Sequence, residues 1–452
     1  MRALLLAGVI GLVVTVGWLL AHAAAPVPPL ARLTPPPGLP PLPAGLDAAG
    51  LVVAWSGDAR AHFEPCGCTA GMYGGLSRRA ALLARVAPGR LLALELGGWS
   101  AGGEDYQLLR SAAYLTGLAR AGIAAVAIGR AEVALGEAAL RAHAATAAAQ
   151  GLALVSANVV TSAGAAPLQT LVLVHAGGRD LAITSVAPVD AAGAGLSVRD
   201  PAEAVAALVA RAAGRDLVVL ADLDEAALAE FARAVPGVAL VIGGAVSSPS
   251  PRPLRVGGTR VVHVANHGKV VGWWAWGAES CQFELIADTL PRQDELVRIA
   301  GDYQSQLAGA VLALDAQSAP APGQATYVSS AACAGCHAQA AVTHAGSRHA
   351  SAFATLVAKG QEHDPECLRC HVTGLERPGG FRRGQVGKGL QAVGCEACHG
   401  PASLHVAAAS AGAPERARLL PVTPAHCATC HDAENSPRFA YEEWWGRIAH
   451  QR

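Results

Sequence analysis

The sequence predicts an α/β layered domain followed by a small domain, mainly α-helical or irregular. Three observations carry this. Between residues 51 and 290, short apolar runs alternate with amphipathic helical stretches, the texture of strands covered by helices. After Tyr327 strand signals stop, and Cys and His become frequent. Within that tail the pattern Cys-x-x-Cys-His occurs four times. A chain of 452 residues exceeds one ordinary domain, and a composition 52% hydrophobic and 15% charged can fill sizeable cores. Acidic and basic residues balance at 34 each, so no polyanion-binding face is implied, and no nucleic-acid motif is present.

Met1-Arg2 precedes an uncharged apolar run, Ala3 to Leu20, and then small residues to Ala25. Residues 1–25 are expected to be a signal peptide or, uncleaved, a membrane anchor over 3–20, either of which sends the rest of the chain out of the cytoplasm to the periplasmic side. Residues 26–50 are rich in proline, with Pro26, Pro28, Pro29, Pro35, Pro36, Pro37, Pro40, Pro41 and Pro43. They are expected to form a stiff extended linker. Strands are expected at Leu51–Trp55, Leu91–Leu96, Ile123–Ile128, Leu152–Val155, Leu217–Ala221, Ala239–Ile242, Arg260–Val264 and Val270–Trp276. Helices are expected at Leu76–Val86, Tyr106–Ala121 and Ala131–Ala148. Residues 291–325 read as a connecting helix and linker, and 326–452 as the second domain. The Trp273, Trp274 and Trp276 cluster and the solitary Cys281 are assigned to core, and Arg78-Arg79 to the surface at a helix start, with contact to an anionic ligand as the alternative.

The four repeats are Cys333-Ala-Gly-Cys336-His337, Cys367-Leu-Arg-Cys370-His371, Cys395-Glu-Ala-Cys398-His399 and Cys427-Ala-Thr-Cys430-His431. This is the pattern of covalent c-type haem attachment, with two thioether cysteines and a proximal histidine. Two zinc ribbons would use the same cysteine pairs but do not require His after each one, and a disulfide framework requires no His at all. The reading is therefore four haem c groups. Whether the second axial position of each iron is filled decides between electron transfer and small-molecule chemistry. Within residues 326–452 six histidines lie outside the motifs: His344, His349, His363, His405, His426 and His450. His426 directly precedes Cys427 and is poorly placed for its own haem.

Over residues 326–452 the chain resembles the tetrahaem cytochromes of the cytochrome c-554 type. The carriers are Tyr327 to Cys333, Ser347-Arg-His349-Ala-Ser-Ala-Phe353, Cys367 to Gly374, Gly379-Gly-Phe381, Val393 to Pro401 and Ile448-Ala-His450. The resemblance implies distal ligation by His349, His405 and His450, a five-coordinate haem at His371 unless His344 or His363 closes it, and electron passage through closely packed haems.

Residues 51–286 resemble the calcineurin-like metallophosphoesterases of the 5′-nucleotidase type. The echoes are Trp55-Ser-Gly-Asp58, Gly74-Gly-Leu-Ser-Arg-Arg79, Ser156-Ala-Asn-Val159, Leu240 to Gly244 and Asn266-His-Gly-Lys269. The resemblance implies a layered α+β sandwich. Such enzymes clamp phosphoryl groups with two metal ions. Here Leu94-Glu-Leu-Gly-Gly98, Gly129-Arg-Ala131 and Gly244-Ala-Val-Ser247 occupy the steps that supply ligands, and Asp58 and His62 are what remains. His62-Phe-Glu-Pro-Cys66-Gly-Cys68 follows the first strand, so Asp58, His62, Cys66 and Cys68 form a candidate redox or ligand site.

The expected function is that of an exported tetrahaem electron carrier with a docking or binding domain. Its expected partners are other cytochromes, a reductase or a quinol oxidase, and a small inorganic ligand. The alternative is a haem-dependent oxidoreductase acting on a small nitrogen or sulfur compound.

Overall fold

Strand β1 (Val52–Ser56) shows how the first domain is layered. Its successive side chains point to opposite faces. Val52 and Ala54 enter one apolar cluster, and Val53 and Trp55 enter another. A strand apolar on both faces must be covered on both. The computed structural model describes residues 33–65, 72–161, 168–316, 319–384, 387–433 and 435–450. Within them β2 is Leu91–Glu95, β3 Ile123–Ala127, β4 Ala153–Val155, β5 Val159–Thr161, β6 Val172–Ala176, β7 Arg179–Val186 and β8 Leu196–Val198. They are followed by β9 (Asp216–Ala221), β10 (Val238–Val246), β11 (Leu254–Val256), β12 (Thr259–Ala265), β13 (Val270–Ala275) and β14 (Gln282–Leu285).

The strands form two six-stranded sheets, ordered β14-β13-β1-β2-β3-β4 and β11-β12-β10-β9-β7-β6, and a separate β5-β8 pair. In the first sheet β1 to β4 run parallel, β13 pairs antiparallel with β1 and β14 with β13; in the second β12, β10, β9 and β7 run parallel, and β11 and β6 close its edges antiparallel. Val53, Trp55, Leu92 and Leu94 of the first sheet pack with Ile183, Val218, Leu220 and Ile242 of the second. Helices cover the outer faces. Leu82, Tyr114, Leu115 and Leu140 lie on the first sheet, and Val205, Leu228 and Phe231 on the second. The result is a four-layer α/β sandwich. Trp273, Trp274 and Cys281 are buried in it as expected.

Four local expectations change. The helix expected over 131–148 is two helices, Arg130–Ala134 and Gly136–Ala149, broken at Gly136, whose φ of 80° suits only glycine. Residues 33–50, expected as part of an extended spacer, pack on the first domain. Leu33, Leu39, Leu42 and Leu46 join its core, and Arg85 donates to Pro40 O and Pro41 O while Arg90 donates to Leu46 O, Asp47 O and Ala49 O. Leucines interspersed among the prolines supply the burial that composition alone did not reveal. Arg79 is also not a surface residue, being 2% exposed. The chain divides into two compact units at Ala300/Gly301, ahead of the expected boundary at 325. In the second unit Arg383 pairs with Asp315 and donates to Leu307 O and Ala310 O, so residues expected as linker are anchored there. The expected signal or anchor lies outside the described residues. Among the described residues no helix is long and apolar enough to cross a membrane.

The second unit contains short helices and no described strand. Helices Pro365–His371, Cys395–His399 and Pro424–Ala428 carry parts of three Cys-x-x-Cys-His motifs.

A buried histidine sets one stability expectation. His143 stacks edge-on to Trp99 in the first core, and its Nε2 has no hydrogen-bond partner. Burial pushes its imidazole down to about 4. The folded state therefore resists a proton that the unfolded chain accepts near 6.5, and stability present above pH 6.5 drains away as pH falls toward 4. The loss amounts to about 3 kcal/mol at the low end. Denaturant titration from pH 7 to 4 should show this slope, and His143→Phe should flatten it. An unchanged slope in the variant would refute the assignment.

Candidate functional site

In the second unit the attachment motifs sit at helix ends, where three of the four motif histidine rings are tethered by one nitrogen. His371 Nδ1 lies 2.7 Å from Ala352 O, His399 Nδ1 3.2 Å from Leu420 O, and His431 Nδ1 3.1 Å from Ser436 Oγ. An Nδ1–H donated to a carbonyl leaves Nε2 as the lone-pair nitrogen available to a metal. His405 and His450 are held the same way, by Ala417 O at 3.0 Å and Ile448 O at 3.0 Å.

The structure brings three pairs of rings together. His337 faces His405 with centroids 6.3 Å apart, His349 faces His431 at 6.0 Å, and His399 faces His450 at 6.1 Å. Parallel rings in contact come closer, as His431 and Phe439 do at 4.4 Å, whereas tilted or edge-on rings reach these distances, as Phe353 and Phe381 do at 6.0 Å. Two metal–nitrogen bonds of about 2 Å, with about 1 Å more from each nitrogen to its ring centre, give a separation of about 6 Å. The spacing thus fits one iron between each pair, and each pair joins a motif histidine to one of the three distal candidates. Motif spacing along the chain could not show which distal histidine meets which motif. Only the fold, which returns His405 and His450 across the unit, supplies the pairing.

The other candidates are used differently. His344 Nε2 contacts Val393 O at 2.8 Å, so the nitrogen that would ligate is engaged by backbone. His363 Nε2 lies 3.9 Å from the Glu362 carboxylate. His426 Nδ1 is 3.0 Å from Thr423 Oγ1, at the start of its own helix.

The cysteines show a second pattern. The Cys333 thiol hydrogen-bonds that of Cys395, and Cys370 that of Cys430. The first motif therefore adjoins the third, and the second adjoins the fourth. None of the eight motif cysteines is in a disulfide, which leaves each able to form a thioether bond.

Glu396, between the cysteines of the third motif, was not singled out by sequence. It is 3% exposed, and its carboxylate accepts N–H bonds from Val328, Ser329 and Ala402. Its position as an unspecified motif residue gave no signal, because the partners lie six and about seventy residues away.

In the first unit, the ends of β1, β2 and β3 converge where the phosphoesterase resemblance places its chemistry. Asp58 Oδ2 accepts the His267 N–H at 3.0 Å, and Asp58 Oδ1 lies 3.3 Å from Arg60 Nε. Asp222 Oδ2 accepts the Arg130 N–H at 2.6 Å. Buried Glu132 accepts from the N–H groups of Gly98, Ser100 and Gly129. A Cβ on Gly97 would meet Gly129 Cα at 2.8 Å, and one on Gly129 would meet Asp222 Oδ2 at 2.5 Å. Close backbone approach thus fills the space between strand ends. Among the described residues no group of three or more His, Cys, Asp or Glu side chains is placed to hold a metal ion. His62 lines a cleft beside this region. Cys66 and Cys68 lie outside the described residues.

Residues 332–400 match the family described as cytochrome c554 and c-prime. The cytochrome c-554 of Nitrosomonas europaea is 32% identical over 84 residues, 15% of this chain and 36% of that protein. The chain therefore spans about a third of that relative's length. A 5′-nucleotidase precursor from Thermus thermophilus superposes with a TM-score of 0.50 at 24% identity, over 60% of each chain. The NAD nucleotidase of Haemophilus influenzae gives 0.49 at 13% identity, over 62% of this chain and 64% of that one. Residues 332–400 are thus similar to the cytochrome c-554 family, and the first unit has the layered fold of 5′-nucleotidases.

Proposed function

We propose that this chain is an exported tetrahaem c-type cytochrome that transfers electrons, with a phosphoesterase-fold domain that has lost its two-metal centre and serves binding or docking. The three imidazole pairs at iron spacing carry this reading. Covalently held haem supplies a one-electron iron couple, and two imidazoles keep that iron low-spin, so it changes charge with little rearrangement. The chain's own contribution is positional. Backbone carbonyls hold Nδ1 of His371, His399, His405 and His450, which presents Nε2 to an iron and fixes each ring plane. The paired cysteines at motifs one and three, and at two and four, bring attachment points close enough for electrons to pass within each pair.

The c-554 relative and the export-like N-terminus support a periplasmic location, and soluble cytochromes, a reductase or a quinol oxidase are the partners that suit it. Mass spectrometry of protein exported from a host that matures c-type cytochromes should find four covalent porphyrins per chain. No added mass would refute the reading. The same sample should contain four irons and only traces of manganese or zinc, and it should not hydrolyse phosphate esters with manganese added. Stoichiometric manganese with turnover would overturn the loss of the two-metal centre.

A further inference from the structure

The first unit contains a cleft unlike its surroundings. It opens where β1 ends, at a loop in which Asp58, Arg60 and Ala61 all have left-handed φ angles, 52°, 47° and 54°. Non-glycine residues held this way cost about 1–3 kcal/mol each and gather at ligand sites. His267, at φ 62°, faces the loop. The ionisable or polar side chains lining the cleft are His62, Tyr73, Arg79, Tyr114 and His267, and no carboxylate is among the described lining residues.

Arg79 is the central feature. Its side chain is 3% exposed, and its Nη1 pairs with Glu95 Oε2 at 2.7 Å while Nη2 donates to Tyr114 Oη at 3.2 Å. Its Nε is buried with no hydrogen-bond partner. A buried guanidinium N–H without an acceptor is costly unless something else supplies one. Helix Leu76–Leu83 also begins at the cleft, and Gly75 before it offers no side-chain cap. Its first N–H groups are taken by His62 O and Phe63 O, so what it adds is the positive end of its dipole.

We propose that this cleft binds a small tetrahedral oxyanion, held by the Arg79 guanidinium at its floor and by His62 and His267 beside it. An anion there supplies the acceptor that Nε lacks. Glu95 sits behind Arg79 and outside the lining, and the Asp58 carboxylate beside the cleft is occupied by His267, whose backbone N–H and Nδ1 lie 3.0 and 3.2 Å from its Oδ2. Burial pushes the Glu95 carboxyl up to about 7, against the pull of Arg79 and with a smaller push from Glu132. Protonation of Glu95 leaves the Arg79 charge uncompensated. The proposal deepens the binding role assigned to this domain and rests on that reading, since an anion held without metal ions requires the two-metal centre to be absent.

The test is calorimetric titration of the full-length haem-loaded protein with inorganic sulfate and with inorganic phosphate, before and after chelation. Saturable binding that survives chelation is expected. It should weaken at least tenfold in Arg79→Gln and tighten in Glu95→Gln, which frees the guanidinium. A gain of affinity cannot come from misfolding. If either buried variant fails to fold, His62→Gln and His267→Gln decide, and each should weaken binding several-fold. Affinity unchanged across the folded variants overturns the proposal. Absence of saturable binding in a metal-free protein overturns it and leaves the loss of the two-metal centre intact. Binding abolished by chelation overturns both.

Discussion

Replacing His349 by alanine should turn about a quarter of the haem iron high-spin and able to bind carbon monoxide, with every porphyrin still attached. His349 faces His431 at 6.0 Å, and removing it opens one iron while leaving Cys427 and Cys430 intact. His405→Ala and His450→Ala should each do the same at a different iron, since they face His337 and His399. The three variants should differ in which potential rises, because a strong imidazole donor favours the ferric state. His344→Ala serves as the control. Its Nε2 is engaged by Val393 O at 2.8 Å, so the spin state should not change. Electron paramagnetic resonance and the carbon monoxide difference spectrum read all four. A His344 variant that gains a high-spin signal, or a His349 variant that does not, would disprove the pairing.

What the sequence revealed follows from the range of its signals. Attachment motifs are local, five residues long, and legible without a fold. Seven of the eight inner strands, β1, β2, β3, β9, β10, β12 and β13, were legible because burial on both faces leaves nearly continuous apolar runs; β7 was not, since Thr184 and Ser185 interrupt its buried run. β6 was not. Val172 and Val174 alternate with the exposed Leu173 and with His175 on an edge strand, and such a pattern reads as loop. β5 and β8 are three residues each and pair only with one another. In the site, Asp58 and His62 were legible from the first-strand echo, whereas the Arg79–Glu95–Tyr114 cluster was not. Its members lie 16 and 35 residues from Arg79, on a helix, a strand and a second helix. Arg78-Arg79 looks like a solvated pair because a charged doublet usually is one. Here the helix turns Arg78 to Glu64, where they form an ion pair, and buries Arg79 against Glu95.

The second unit should fail to fold when haem is withheld, while the first folds normally. Its apolar cluster of fully buried residues is Leu356, Leu368, Val372, Phe381 and Leu390. Each contributes about 2 kcal/mol by leaving water, whereas ordering the chain costs about 1–2 kcal/mol for every residue. Even with the buried Tyr303, Leu307 and Leu312, eight such side chains cannot offset that cost over a unit that begins at Gly301. One core between the sheets and two outer helix–sheet cores stabilise the first unit, and they owe nothing to the tail's cysteines. Porphyrin faces would provide the missing apolar surface, and the imidazole pairs would cross-link helices distant in sequence, as a structural metal does in small domains. Expression without the haem-attachment machinery, or with all eight motif cysteines changed to serine, should therefore give a protein whose tail is digested rapidly by trypsin. A resistant fragment spanning roughly residues 33 to 300 should remain. Loss of haem from a tail that stays protease-resistant would mean that some core other than porphyrin holds it, and the iron-spaced histidine pairs would then need another explanation.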